Sequence, residues 1–415
     1  MRKALWTIPV IVLLAAAAAV LPSLLAARDS QSTQPAPRTI RVSVRAANDG
    51  RFVEDLGLGD FEILDGGRPQ TADGLAVIDN GRVIRQEGAT IPGSGGGRRI
   101  WVLLQMTDYD SKIEGALNYL FKEVLTEQDS LNLITPGKPY ILSAEAFRKR
   151  PKDEIAKETT KLVRKDILSG NSDYRTIMAD LKRIVRAIQG ASQASPMDDI
   201  DAEADAGDSD FGIELTLPRY KAALVKLDSL RLVDPRRFMA MAEGLRQSTE
   251  PAVVFLIYQR EFRPEINPTI LSLLMSAYQD RDDILASLQE LFTFYRREVS
   301  FELEPVRRAF ADSGAVFNFI FMSKQAKQSF GITMTEQSED LFKIFSGISS
   351  STGGAVSTSG DPGTGFRKTA EETRRAYILR YLPSDSGAKG EFRELSVRIK
   401  GRDCKVTHQA GYISR

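Results

Sequence analysis

The residues best placed to bind a ligand follow one apolar run. Ile100–Met106 is apolar and of strand length; a Gly/Ser-rich hinge precedes it, and a polar loop and a helical pattern follow it. This pattern is typical of a buried central strand in a parallel sheet. In open α/β sheets, ligands bind just outside the carboxyl ends of the strands. We therefore expect the binding site of the main domain around the residues Gln105, Thr107, Asp108 and Tyr109.

The residue inventory argues against most catalytic and metal chemistry. A single cysteine, Cys404, excludes an internal disulfide and a multi-cysteine metal site. A Ser-His-Asp triad, a multi-histidine zinc site or a histidine general base would have to use the single histidine, His408. The Gly-rich loops Gly93–Gly97 and Gly353-Gly354 do not form a phosphate-binding motif after a strand. The sequence therefore favours a protein that is not an enzyme and that needs no cofactor.

The overall charge gives no sign of a nucleic-acid or membrane-surface partner. Charged residues make up 27% of the 415 residues and balance to a net charge of +1. Such a chain has no strong global field to attract nucleic acid or anionic lipid. Its length suffices for a sizeable core and predicts two domains in addition to an export segment.

The first 38 residues have the pattern of an exported protein. A short basic head precedes the apolar run Ala4–Leu21, and small residues follow up to Ala27. This order is typical of a secretory signal over 1–27, with a Ser/Gln/Pro linker over 28–38. The run is almost long enough to remain as a membrane anchor, so the sequence leaves cleavage open. We expect the protein in the periplasm or cell envelope, and membrane contact only through an uncleaved N-terminal segment.

The remaining chain divides into three parts. Short alternating strands with turn signals predict a small β module and a hinge over 39–97. Strands and helices alternate over 98–375, which predicts an α/β domain with a mainly parallel sheet. Residues 376–415 return to strands that are too few for a separate domain. We therefore predict that both ends build one small β-sandwich-like domain, into which the α/β domain is inserted.

An acidic insertion over 190–212 interrupts the α/β pattern. Its alternating carboxylates superficially suggest a calcium loop. An EF-hand loop starting at Asp199 would need glycine and glutamate at the positions that hold Ala204 and Asp210. Low hydrophobicity and high charge instead predict disorder, with a role that the sequence leaves open.

Three stretches together resemble a bacterial, acidobacterial-type family of exported proteins with a von Willebrand factor A-related domain. They are residues 42–70, the strand RIWVLLQM over 99–106 together with Ser351–Gly354, and residues 377–412. The specific parts are Asp60-Phe61-Glu62, Arg68-Pro69-Gln70 and Gly411-Tyr412. The resemblance implies a Rossmann-type α/β domain whose sheet top often holds a metal-ion-dependent adhesion site.

That adhesion site uses an Asp-x-Ser-x-Ser loop, a threonine from a later loop and an aspartate after the fourth strand. Together they bind magnesium, which then takes a carboxylate from the partner. In this chain the corresponding positions hold Gln105, Thr107, Tyr109, Thr216 and Gln259, with Arg260 beside the last. Thr216 precedes the helix that we predict over Tyr220–Leu245.

Both key carboxylates of the adhesion site are therefore missing. Asp108 and Asp110 fall at the wrong loop positions to replace them. We interpret the metal site as degenerate and expect no cofactor; the alternative is weak magnesium or calcium binding through rearranged ligands. The candidate partner-binding surface, called the upper face below, comprises Gln105, Thr107, Asp108, Tyr109, Asp110, Thr216, Gln259 and Arg260.

Two functions from different classes follow from this reading. The leading hypothesis is an exported, non-enzymatic protein-binding or scaffolding protein of the cell envelope, whose protein partner the sequence cannot name. The alternative is a metal-dependent adhesion protein, which predicts measurable magnesium or calcium affinity.

Overall fold

The computed structural model describes residues 39–93, 95–193, 212–231, 233–297, 301–326, 332–385 and 387–415. The predicted signal segment 1–27, the linker 28–38 and residues 194–211 of the acidic insertion lie outside these ranges. Within them, no helix combines the length and the apolar composition that crossing a membrane requires.

The chain begins and ends in strands. Up to Gly88 it forms β1 (Ile40–Asn48), β2 (Arg51–Phe52), β3 (Phe61–Asp65), β4 (Arg68–Gln70), β5 (Ala72–Asp79) and β6 (Arg82–Gly88).

Strands and helices then alternate. They are β7 (Arg99–Gln105), α1 (Ile113–Tyr119) with a π-helical turn Leu120–Val124, β8 (Ser130–Ile134), β9 (Pro139–Leu142), α2 (Ala144–Lys149), α3 (Lys152–Gly170), α4 (Ser172–Gln193), α5 (Ile213–Arg231), α6 (Pro235–Gln247), β10 (Ala252–Gln259), β11 (Phe262–Glu265), α7 (Pro268–Ala277), α8 (Asp282–Tyr295), α9 (Leu303–Ser313), β12 (Val316–Met322), β13 (Thr333–Glu336), α10 (Glu339–Ser351), β14 (Val356–Ser359) and α11 (Pro362–Glu372). The last strands are β15 (Arg375–Tyr381), β16 (Phe392–Ile399), β17 (Lys405–His408) and β18 (Gly411–Ile413).

The alternating segment builds a six-stranded sheet in the described residues, in the order β14-β12-β10-β7-β8-β9. All neighbours in it are parallel except the edge pair β8 and β9. Counted in chain order within this sheet, the strand order is 3-2-1-4-5-6. The predicted mixed α/β class with a mainly parallel sheet is thereby confirmed.

The central position of β7 follows from its sequence. Val102 and Leu104 face one hydrophobic cluster and Leu103 faces the other, because successive side chains of a strand point to opposite faces. Helices α1, α3 and α11 cover the first face, and α6, α9 and α10 cover the second. A strand that is apolar at every position can only be buried in this way, with a layer of helices on each side.

The strands from the two ends of the chain interleave. β1 pairs antiparallel with β15, and the first antiparallel sheet has the order β17-β1-β15-β5-β6. β3 pairs antiparallel with β16 in a second sheet of order β18-β16-β3-β4. Both sheets contribute side chains to one hydrophobic cluster, among them Val42, Ile63, Leu379 and Val397. The two sheets therefore share a core that neither end of the chain supplies alone.

The turn after α10 joins these antiparallel sheets to the parallel sheet. Arg45 of β1, only 7% exposed, donates a hydrogen bond to the carbonyl of Gly353. Burial lowers the pKa of Arg45 to about 10. Gly353 has φ +68°, and a Cβ there would lie 2.9 Å from the carbonyl carbon of His408. A side chain at this position would therefore push the two parts of the molecule apart.

Candidate functional site

The carboxyl ends of β7 and β10 meet at one edge of the parallel sheet. Gln105 lies opposite Tyr258 in the register of these two strands, and Gln259 lies opposite Met322 of β12. In the strand order 3-2-1-4-5-6, β7 and β10 are the pair at which the order reverses. Open α/β sheets bind ligands in the crevice at this switch point. The loops after β7, β10 and β12 are therefore the place to search for a site.

The side chain of Gln259 connects two of these loops. It is 1% exposed, and its Oε1 accepts hydrogen bonds from the backbone N–H of Thr107 and of Asp108, both at 2.9 Å. The Thr107 hydroxyl donates to the same oxygen at 3.2 Å. One neutral amide oxygen thus satisfies three donors and fixes the loop after β7 against the end of β10.

Tyr109 and Asp110 are engaged at the start of the following helix. The Tyr109 hydroxyl donates to Glu114 Oε1 at 2.8 Å, and the Arg164 guanidinium lies 5.5 Å from the centre of the Tyr109 ring. Burial, with a further contribution from Glu114, raises the pKa of Tyr109 to about 12. Asp110 Oδ1 accepts from the N–H of Lys112 at 3.0 Å. Tyr109 therefore keeps its proton at neutral pH, and the Asp110 carboxylate shapes the turn into α1.

Thr216 is not in a loop, contrary to the alignment proposed from the sequence. It lies near the start of α5, where its hydroxyl donates to the carbonyl of Gly212 at 3.2 Å. Its neighbour Leu217 belongs to the hydrophobic cluster between α4, α5, α7 and α8. The helix begins at Ile213 and includes Pro218, which as its sixth residue removes one of the hydrogen bonds of the helix. Helix packing thus accounts for the burial of Thr216.

A buried ionic cluster supports the loop after β10. Glu261, 4% exposed, accepts a hydrogen bond from Arg231 Nε at 2.9 Å. The same guanidinium donates to Asp340 Oδ1 at 3.1 Å. Burial raises the pKa of Glu261, against the opposing effect of the Arg231 charge. Charged groups so far from water need this pairing, so the cluster fixes α5, the loop after β10 and α10 relative to one another.

Two further residues of the site escaped the sequence analysis. Asn171, 2% exposed, donates from Nδ2 to the carbonyls of Met106 at 2.7 Å and Ile167 at 2.8 Å. Tyr174, 9% exposed, lies beside Thr107; burial raises its pKa, and a hydrogen bond with Thr107 opposes that shift. The only available signal was the position of Asn171 directly after Gly170, which marks the junction of two helices.

These loops and the first half of α4 line a cleft of about 310 Å³. Thr107, Asp108 and Gln259 line it together with Lys324 from the loop after β12. Lys324 Nζ is 3.9 Å from Asp108 Oδ2. Arg260, which also lines the cleft, pairs with Glu336 through Nε at 3.0 Å. The cleft therefore contains more positive than negative side chains.

The donor set at this edge does not fit a divalent cation. Magnesium and calcium need several oxygen ligands, including charged carboxylates. The oxygen of Gln259 is neutral and surrounded by three hydrogen-bond donors, whose positive ends would repel a cation. Over the described ranges, no group of three or more His, Cys, Asp or Glu residues is arranged to hold a metal ion.

Comparison with known proteins adds little to this geometry. No protein-family model matches the sequence, and no curated protein matches it. Among solved structures, the crystal structure of the human COPII-coat protein Sec24c is similar to 79% of this chain, with 8% sequence identity and a TM-score of 0.28. The chain spans 44% of the length of that chain. A likeness at this TM-score carries no argument, so the site stands on its own geometry.

Proposed function

We propose that this chain is an exported, non-enzymatic protein of the cell envelope that binds or scaffolds other proteins. It binds them through the upper face of a von Willebrand factor A-like domain, without a bridging metal ion. The partner is a protein rather than nucleic acid, since the net charge of +1 provides no global attraction for a polyanion.

Gln259 carries this proposal. Where the family resemblance implies an aspartate that acts through a metal ion, this chain has an amide whose oxygen bonds directly to the loop after β7. The loop is therefore held in place without a cation. The hydrogen bonds from this loop to Gln259 form before a partner binds. The upper face is therefore preorganised for binding without a metal ion.

The strand order supports the assignment to a von Willebrand factor A-like domain. The order 3-2-1-4-5-6 is that of Rossmann-type sheets, and the upper face lies at its switch point. The resemblance of residues 42–70 and 377–412 to the exported bacterial family supports the same assignment. The paired strands β1 and β15 overlap these two stretches.

Site-specific photocross-linking in native cells tests the proposal. A photoreactive phenylalanine analogue replaces Tyr109 on the upper face; as a control it replaces Ile84 of β6, which is 60% exposed. We expect a cross-linked partner protein at position 109, of equal yield with EDTA or magnesium present, and none at position 84. The same product at both positions, or none at 109, would contradict a role of the upper face.

Calorimetric titration of the purified protein with magnesium, calcium and manganese tests the absence of a bridging ion. We expect no binding at sub-millimolar concentration. Binding that disappears in Asp108→Ala would instead favour the metal-dependent adhesion protein, with Asp108 as a rearranged ligand. Cross-linking at position 109 that requires magnesium would lead to the same conclusion.

A further inference from the structure

The cleft at the upper face carries a local excess of positive charge. Arg175 and Lys182 come from α4, Arg260 follows β10, and Lys324 follows β12. Against these four cations stand two carboxylates, Asp108 near Lys324 and Glu336 paired with Arg260. The difference is two positive charges within a concave site, although the whole chain has a net charge of only +1. A concave site focuses this charge toward a bound ligand.

Among the residues that the structure describes, one hydrogen-bond donor of the cleft lacks an acceptor. Gln259 lines the cleft, and its Oε1 is occupied by Thr107 and Asp108. Its Nε2 is buried and has no acceptor among the described residues. Buried donors are normally hydrogen-bonded, and an acceptor atom from a ligand in the cleft would satisfy this one. Arginine, lysine and amide N–H groups together favour a ligand that offers oxygen acceptors and negative charge.

The remaining lining of the cleft is apolar. Met178 of α4, Phe262 of β11 and Met334 of β13 lie next to the cationic side chains, and all three are half-buried. Methionine side chains adapt to irregular apolar groups. A small inorganic anion would leave this part of the cleft uncovered, whereas a peptide with neighbouring acidic and apolar side chains would cover both parts.

We propose that the cleft binds an acidic peptide segment of a partner protein, with a Glu or Asp carboxylate held by Lys182, Lys324 and the Gln259 amide. The inference rests on the proposed function, whose binding face it supplies with a ligand class. The cationic side chains contact the partner's carboxylate directly, and an adjacent apolar side chain packs on Met178 and Phe262. Charge-assisted hydrogen bonds of this kind are among the stronger ones in proteins.

Fluorescence anisotropy with a labelled peptide tests the inference on the full chain in EDTA. The probe is Glu-Leu-Glu-Leu-Glu-Leu, and its neutral control has Gln in place of each Glu. We expect the acidic peptide to bind at least about tenfold more tightly, because the neutral peptide forms no charge-assisted hydrogen bonds with the lysine side chains. Raising the salt concentration from 50 to 300 mM should reduce this preference because salt screens exposed charges.

The matched variants are Lys182→Glu with Lys324→Glu, and Lys389→Glu on an exposed loop between β15 and β16. The double variant should weaken binding of the acidic peptide by about tenfold or more, whereas Lys389→Glu should leave it unchanged. Equal binding of both peptides, an equal loss in Lys389→Glu, or full displacement by 10 mM inorganic phosphate would overturn the inference. The comparison of the two peptides on the unmodified chain decides the question even if the double variant does not fold.

Failure of this inference is distinguishable from failure of the proposed function. If position 109 cross-links a partner but the two peptides bind equally, the acidic ligand is wrong and the upper face remains a protein-binding surface. If the acidic peptide is preferred but no partner cross-links at position 109, the ligand class stands and the proposed cellular role is wrong.

Discussion

Two buried polar networks in this protein differ in how completely they are satisfied. Asp65, fully buried between the antiparallel sheets, accepts hydrogen bonds from the hydroxyls of Tyr381 and Tyr412, each at 2.8 Å, and from Arg393 Nε at 2.7 Å. Gln259, almost as deeply buried, uses its oxygen three times but leaves its Nε2 without an acceptor in the described chain. Over the residues that the structure describes, the first network is complete and the second is not.

This difference separates a structural network from one suited to a ligand. Around Asp65, burial together with the carboxylate raises the pKa of Tyr381 and of Tyr412, so both hydroxyls remain donors at neutral pH. The hydrogen bonds to Asp65 thus hold the side chains of this network in fixed positions. Around Gln259, the protein tolerates the cost of an unmet donor beside a cationic cleft. Natural proteins accept such local costs mainly where they bind or react.

The substitution Asp65→Ala should have the largest effect of those that test the difference between the two networks. This substitution leaves two hydroxyls and the Arg393 guanidinium buried without their shared acceptor, and we expect it to cost about 3–5 kcal/mol of folding free energy. Urea unfolding measures the change. The control is Asp55→Ala, since Asp55 pairs with Arg402 on the surface and such pairs contribute little. If both variants lose a similar amount of folding free energy, the network around Asp65 does not stabilise the fold more than a surface ion pair does.

Gln259→Ala should have a smaller and more local effect. The N–H groups of Thr107 and Asp108 lose their acceptor, for an expected cost of about 1–3 kcal/mol. Hydrogen exchange at these two amides should accelerate by about tenfold or more, whereas amides of β1 keep their rates. Unchanged exchange at Thr107 would mean that Gln259 does not hold the loop.

The smallest effect is expected for Glu261→Gln, and it depends on pH. Near pH 4.5 the substitution should cost about 1 kcal/mol, because an amide reproduces only part of the hydrogen bonding of the carboxyl group with Arg231. Burial raises the folded-state pKa of Glu261 above its ordinary value of 4.5, so between these two values the folded state binds more protons than the unfolded state. The stability advantage of the unsubstituted chain over Glu261→Gln should therefore shrink as the pH rises through this window.

Glu243→Gln is the control of opposite sign. Hydrogen bonds from Arg246 and Gln247 lower the pKa of the exposed Glu243 to about 2. Its contribution to stability is therefore fully present above its ordinary value of 4.5 and is lost as the pH falls toward 2. Urea unfolding between about pH 2.5 and pH 8 compares both variants with the unsubstituted chain. If the free energy of unfolding relative to the unsubstituted chain changes with pH in the same direction for both variants, burial does not raise the pKa of Glu261.

The sequence sufficed for those parts of the fold that depend on local pattern. The apolar run Ile100–Met106 predicted a central strand because no other element buries side chains at every position, and β7 covers nearly the same residues. The location of the candidate site, at the edge where β7 and β10 end with Gln105 and Gln259, was predicted because ligands bind at the carboxyl ends of parallel strands.

The contacts within the site depend on long-range register, which local pattern does not encode. The bond from Thr107 to Gln259 joins residues 152 positions apart and requires β7 and β10 to pair in one register. The hydrogen bond between Tyr174 of α4 and Thr107 likewise joins elements that are distant in the sequence. Thr216 was placed in a loop because the sequence predicted a helix only from Tyr220, whereas α5 begins at Ile213 and packs Leu217 into the cluster between the helices.

The interleaving of the terminal strands determines how the molecule carries mechanical load. β1 lies between β15 and β17, so a force that pulls Ile40 away from His408 acts on the hydrogen bonds of one antiparallel ladder. The parallel sheet is inserted in the chain between β6 and β15, and none of its strands belongs to this ladder. The upper face can therefore keep its shape while the strands from both ends of the chain bear the force, until that ladder ruptures.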